Sequence, residues 1–231
     1  MAQIDVSSDS SDDELRKTDY FVNDEPFRTR DPIVSGREVL SKAGFIPADQ
    51  HILVQIRDQQ TTGRELDEKI TLRTAGPEHF RAFPGDRLFT FTVEQRSQVW
   101  GEPQIKETEL RSIIEIGDDE IFLLEKQDEA DVRIRDGASI NLSAFGAERI
   151  AVIQRPNIQV KVNNQGVSMS WGFSTGAAIK EAAIAQGVDI EEDFTLTLEV
   201  TNGDDLVIGD EDPVFLDGEE CFDALDNHED S

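Results

Sequence analysis

The stretch PIVSGREVLSKAGFIPADQHILVQI, Pro32 to Ile56, reads as one unit: a turn, a short capped helix, a glycine stop, a loop and a strand. Ser35 stands three residues before Glu38, a spacing in which the hydroxyl accepts from the third helical N–H while the carboxylate reaches back to the cap N–H. Val39, Leu40 and Ala43 form one apolar face, and Gly44 supplies the positive φ that ends a helix at low cost. So short a helix cannot hold itself together, so its apolar face must lie on something else. His51 to Ile56, rich in branched apolar residues, reads as a strand buried on at least one side.

Weaker versions of this unit recur about 70 and about 140 residues later. The second runs from Ile105, with Leu110, Ile113 and Ile114 on a helix face and Ile121 to Leu124 in a strand. The third runs from Phe173, where Thr175-Gly176 repeats Ser35-Gly36, and Ile179 and Ala183 repeat Val39 and Ala43. Gly76, Gly146 and Gly218 each precede an aromatic or branched residue by four, namely Phe80, Ile150 and Phe222. Solenoids use periods of roughly 20 to 50 residues, so the longer step predicts three small domains in series.

Hydrophobic content of 37% and charged content of 31% describe a polar globular chain, not a generally disordered one. One cysteine, Cys221, cannot staple a domain internally. The N-terminal MAQIDVSSDS lacks the basic and apolar regions of a signal peptide, and no apolar run approaches 18 residues, so a cytoplasmic protein is expected. Net charge is -27, and after Lys180 there are 18 Asp and Glu with no Lys or Arg in 51 residues. Such a surface repels nucleic acid and anionic lipid and attracts basic partners, although acidic residues also serve solubility alone.

Residues 1–18 read as a disordered acidic tail, in which Ile4-Asp5-Val6 before SSDSSDDE resembles short peptides that add to a sheet edge of ubiquitin-like modifiers. Domain one, 19–84, is expected to open with a hairpin, Tyr20 to Val22 and Phe27 to Arg30, turning at Asn23 to Pro26. The helix and the strand His51 to Ile56 follow. Next come a loop at Gln59 to Gly63, a short strand or turn at Leu66 to Leu72, and a last strand His79 to Phe83. Domain two, 86–155, repeats the order with strands Leu88 to Val93, Gln98 to Ile105, Ile121 to Leu124, Val132 to Arg135 and Arg149 to Ile153. Pro103 there suggests an edge, and Lys106 stands where the cap Ser35 would be. Domain three, 157–226, opens with Ile158 to Val162, turns at Asn163 to Gly166 and returns through Trp171. Phe194 to Val200, a turn at Asn202-Gly203, Leu206 to Ile208 and Cys221 to Leu225 complete it, before an acidic tail at 227–231. The fold class is α+β: three tandem β-grasp domains, each with its sheet curled around one helix.

These residues resemble the bacterial multi-ubiquitin domain family. Domain one carries the resemblance through Phe21-Val22-Asn23, Ser35-Gly36-Arg37-Glu38, Ala43-Gly44 and Gly76 to Phe80. Domain three carries it through Val160 to Asn163, Thr175-Gly176 and Gly218 to Phe222, and domain two in outline. The resemblance implies a ubiquitin-like protein modifier or its precursor, with partners similar to activating enzymes, conjugating enzymes and isopeptidases. Such modifiers are activated through a terminal glycine, whereas this sequence runs Asp223-Ala-Leu-Asp-Asn-His-Glu-Asp-Ser231. Conjugation would therefore require trimming at an unusual residue, with Asp223, Ala224, Leu225 and Asp226 the candidate end.

No catalytic constellation competes. His51 and His79 fall in expected strands and read as half-buried sheet residues, and His228 lies in the acidic tail. Cys221 reads as a small buried residue. Asp204-Asp205 and Asp210-Glu211-Asp212 lack the ligand alternation and fixed glycine of an EF-hand loop, and no phosphate loop or zinc spacing is present. No cofactor or metal is expected. Three function classes stay open: a modifier or precursor, a non-covalent adaptor gaining avidity from tethered domains, and an acidic mimic of nucleic acid.

Overall fold

The computed structural model describes residues 18–226, except 74, 128, 144–147 and 202. The expected tails, the Ile4-Asp5-Val6 peptide, Gly146, Asn202 and His228 lie outside the described residues, save that Thr18 already belongs to a strand.

Two-residue turns with both residues at positive φ match the right-handed twist of paired strands. Asn23-Asp24, Asp58-Gln59, Glu94-Gln95 and Asn163-Asn164 all have that geometry. The first hairpin is therefore β1 (Thr18–Val22) with β2 (Glu25–Thr29), tighter than the four-residue turn expected, and Pro26 falls inside an edge strand. β3 (Ile33–Ser35) leads into α1 (Gly36–Lys42), and β4 (His51–Arg57) follows. The polar span expected as a loop is β5 (Gln60–Arg64), paired along β4 across the Asp58-Gln59 turn. β6 (Lys69–Thr71) pairs with β3, so the turn expected before the helix is half of a small ribbon. β7 (Glu78–Pro84) inserts between β1 and β4, giving the sheet order β2-β1-β7-β4-β5.

The second set repeats this plan with β8 (Phe89–Val93), β9 (Arg96–Trp100), β10 (Gln104–Lys106), α2 (Glu107–Ile114), β11 (Glu120–Glu125), β12 (Val132–Arg133), β13 (Ser139–Asn141) and β14 (Glu148–Gln154). The single strand expected from Gln98 to Ile105 is thus two, and Pro103 lies between them. The third set is β15 (Asn157–Val162), β16 (Gln165–Ser170), β17 (Gly172–Thr175), α3 (Gly176–Ala185), β18 (Thr195–Leu198), β19 (Leu206–Ile208), β20 (Pro213–Leu216) and β21 (Cys221–Leu225). The structure is mixed α and β, with three helices among the described residues and three similar sheet groups. In each group the last strand runs parallel beside the first, and a two-stranded ribbon flanks the helix.

Each helix buries the face its sequence predicts. Val39 and Leu40 are fully buried among Tyr20, Val22, Leu53 and Phe80, and Ile179 and Ala183 among Val160, Val162, Leu196 and Phe222. α2 lacks a side-chain cap at Lys106. Instead the buried Glu107 accepts from Arg111 Nε at 2.7 Å and from the Gly137 N–H at 2.9 Å.

The chain divides into two units: residues up to Gly117 together with Phe122–Val152, and Asp118–Ile121 together with everything from Ile153 on. The first unit contains the sheets of both leading domains, which pack on one another. Val54 and Phe83, on the face of β4 and β7 opposite α1, are buried in one cluster with Phe91, Trp100, Leu110 and Phe122 of domain two. The Phe83 and Trp100 rings meet edge to face at 4.7 Å. The edges of β5 and β9 adjoin through side chains. Buried Gln98 accepts from the Thr61 N–H at 2.7 Å and donates to the Gln59 carbonyl at 3.1 Å, and the Val99 N–H donates to Thr61 Oγ1 at 2.8 Å. Arg81 Nε adds an ion pair to Glu109 at 2.7 Å.

Candidate functional site

The two sequence marks that recur most clearly, Val-Asn at the end of the first strand and Gly-x-x-x-Phe before the last, meet each other in space. Val22 lies opposite Phe80, and Val162 opposite Phe222. The next residue donates its N–H to the partner carbonyl, Asn23 to Phe80 at 3.0 Å and Asn163 to Phe222 at 2.9 Å. The asparagine side chain then grips the last strand two residues further on. Asn23 Nδ2 donates to the Ala82 carbonyl at 3.1 Å, and the Ala82 N–H donates to Asn23 Oδ1 at 2.9 Å. Asn163 holds Ala224 in the same way, at 3.0 and 2.8 Å. In domain two Glu94 occupies this place. It donates its N–H to the Ile150 carbonyl at 3.1 Å and accepts from the Val152 N–H at 2.5 Å, but a carboxylate has no second donor to give. Asparagine suits the position because it tolerates the left-handed conformation, with φ of 49° and 48°, and carries both a donor and an acceptor. The sequence pointed to Val-Asn as a motif; its use as a two-sided clamp was legible only once the strand order was known.

The Ser/Thr-Gly pairs have a different physical origin. Ser35 caps α1, its hydroxyl oxygen accepting from the Glu38 N–H at 3.2 Å while Glu38 accepts from the Ser35 N–H at 2.6 Å and from its hydroxyl at 2.9 Å. These bonds hold the Glu38 carboxyl below its ordinary value, the backbone donation from Ser35 foremost. Thr175 caps α3 by accepting from the Ala178 N–H at 3.3 Å. A Cβ on Gly36 would come within 2.6 Å of the Glu65 carbonyl oxygen, and one on Gly176 within 2.4 Å of that of Gly209. Both glycines let the connection after the fourth sheet strand cross tightly over the helix start, with the Arg37 N–H donating to the Leu66 carbonyl at 2.7 Å and the Ala177 N–H to that of Asp210 at 3.1 Å. Gly44 follows α1 at φ 87°.

The candidate C-terminal end is not a free segment over most of its length. Asp223, Ala224 and Leu225 belong to β21 and pair with Thr197, Leu196 and Thr195 of β18, and Ala224 is buried. Leu225 is 66% exposed, and Asp226 is exposed after the strand. Cys221, expected buried, is half-buried at the start of β21 and forms no disulfide. His51 opens β4 half-buried, with Nδ1 2.9 Å from the Pro47 carbonyl oxygen. His79, expected half-buried, is exposed and stacks on Phe21 at 5.0 Å between ring centroids. Among the described residues no three His, Cys, Asp or Glu side chains are grouped to hold a metal ion, and no helix is long and apolar enough to cross a membrane.

Residues 18–85, the span of the first domain, match the family model described as multiubiquitin. A search of curated proteins found no significant match.

Proposed function

We propose that this chain is a tandem ubiquitin-like protein of three β-grasp domains, acting as a protein modifier or its precursor in a ubiquitination-like pathway. The observation that carries the reading is the multiubiquitin match of domain one, together with the recurrence of its strand order and its Asn clamp in domain three. The partners are an activating enzyme that adenylates a carboxylate of the chain and passes the acyl group to a cysteine thiol, a conjugating enzyme that delivers it to a target amine, and an isopeptidase that reverses the bond. The chain supplies the carboxylate and the folded surface, and the partners supply the nucleophiles.

Because Asp223 to Leu225 are sheet residues, the reactive carboxylate belongs at Asp226 or beyond it; cutting earlier would strip a strand gripped on both sides. Intact mass after incubation with ATP and such enzymes tests this. A mass equal to chain plus target less one water supports the modifier. A chain unchanged in mass under these conditions, yet co-purifying with the same enzymes, overturns it in favour of a non-covalent adaptor. The buried contact of domains one and two favours that second reading, because it makes the pair one body with a combined surface and not two releasable units. Partners other than nucleic acid or membrane accord with the net charge of -27.

A further inference from the structure

An exposed strand edge presents a row of unpaired N–H and C=O groups, and folded proteins blunt such edges by charge, proline, brevity or cover. The sheet ends of this chain show these devices one by one. β2 carries Pro26 and the ion-paired Arg28. β5 is covered by Gln98, and β9 lies along β5. β12 has two residues, one of them Arg133. β16 is capped by the Gln186 amide, which accepts from the Ser168 N–H at 2.8 Å and donates to its carbonyl at 3.0 Å.

Among the described residues β19 shares only brevity with these edges, at three residues. It ends the third sheet and carries no proline or charge, and no side chain caps it. It exposes consecutive apolar residues, Leu206 at 56% and Val207 at 63%. Successive strand residues point to opposite faces, so an added strand would find an apolar contact on each. The position is also the counterpart of β5, the edge that domain one uses to receive domain two, since both are the last strand of the same order. Carboxylates bracket it. Asp204 and Asp205 precede it, and Asp210, Glu211 and Asp212 follow. Lys180 is the one cation paired there, at 2.8 Å from Asp210.

We infer that β19 is a docking edge for an extended basic peptide, whose backbone continues the sheet, whose successive apolar side chains cover Leu206 on one face and Val207 on the other, and whose Lys or Arg residues meet the flanking carboxylates. This is strand addition with specificity from side-chain chemistry, and it needs only folded domain three, whether or not the chain is conjugated. A second copy of this acidic chain is a poor occupant, because its own surface carries the same sign.

The test uses the full chain and a short peptide with a valine pair flanked by lysines, with the same valine pair flanked by glutamates as the control. Amide hydrogen exchange followed by residue should show protection rising about tenfold or more at Val207, whose N–H faces away from β18, on adding the lysine peptide, since only a formed ladder slows exchange there. Raising the salt should weaken binding by about tenfold, because the paired charges are exposed and screened. Val207→Lys places a like charge on the edge while leaving its backbone intact, and should abolish binding. Val207→Pro removes a backbone donor and should do the same, with protection of β18 and β21 reporting that the domain remains folded. Equal binding of the glutamate peptide, protection confined to β2 or β16, binding indifferent to Val207→Lys, or no binding of either peptide would overturn the assignment.

Discussion

The side-chain amide of Asn163 spans the backbone of Ala224, donating to its carbonyl at 3.0 Å and accepting from its N–H at 2.8 Å, so the last strand of the third sheet is tied to the end of the first. Ala224 is buried, and truncating the clamp leaves both of its backbone groups short of a partner. Asn163→Ala should therefore cost about 1–3 kcal/mol in domain three, the usual cost of an unsatisfied buried group. Asn163→Asp keeps the acceptor and should lose less. Denaturant titration of the full chain, with exchange at the β21 amides as the local probe, measures both. An alanine variant as stable as the parent would show the clamp to be ornamental.

Gly36 and Gly176 should resist substitution for steric reasons, not conformational ones. Alanine is the better helix former, yet its Cβ would press within 2.6 Å of the Glu65 carbonyl oxygen or 2.4 Å of the Gly209 one. Backbone on both sides must move, so each change should destabilise its domain by about 1–3 kcal/mol, as other overpacking changes do. Thermal unfolding decides the sign. A stabilised alanine variant would mean that the crossing loops yield freely.

What could be read from the residues follows from where the signal is local. The capping box, the apolar face of Val39 and Leu40, and the alternation of Leu88 to Val93 each reflect neighbours a few positions apart, and the elements formed there. Gln60 to Arg64 became a strand against its polarity because its partners are distant: Thr61 is only 3% exposed, and the group that satisfies it is Gln98. The joint core around Val54 and Phe83 was hidden for the same reason. Both residues were read as ordinary strand apolars, and nothing in their own sequence says that the face opposite the helix is also covered. Asp223 to Leu225 are both the end of an expected strand and part of the candidate conjugation end, and the Asn163 clamp and the β18 ladder hold them as strand through Leu225.

The capping box sets an acid limit. Ser35 holds the Glu38 carboxyl below its ordinary 4.5 through its backbone N–H first and its hydroxyl second. A depressed carboxylate contributes stability that is complete above the unfolded value and is lost as pH falls through the folded one. Domain one should thus lose this contribution below about pH 4.5, and the difference between the parent and Glu38→Gln should shrink towards zero at the acid end. At the alkaline end Tyr20, pushed up to about 12 by burial and then by the charge of Glu38, contributes stability that is complete below its ordinary 10.0 and is lost as pH rises towards 12. Denaturant midpoints measured across both ranges check the two signs. A Glu38→Gln difference that grows on acidification would contradict the capping account.

Trp100 decides whether domains one and two behave as one body. Its ring is 5% exposed and meets Phe83 at 4.7 Å, so it fills the face of the first sheet that its helix leaves open. Removing it opens a large cavity between the two sheets, and Trp100→Ala should cost about 3–5 kcal/mol. The loss should fall on both domains together, because Val54 and Phe83 belong to the same cluster as Leu110 and Phe122. Calorimetry of the parent should give a joint transition for domains one and two, apart from that of domain three. In the Trp100→Ala chain the joint transition should move to lower temperature while the third-domain transition stays in place. Separate melting of the first two domains in the parent would mean that their contact is too weak to couple them. Domain one would then be free to act as a unit on its own, and the case for a combined surface would fall with the coupling.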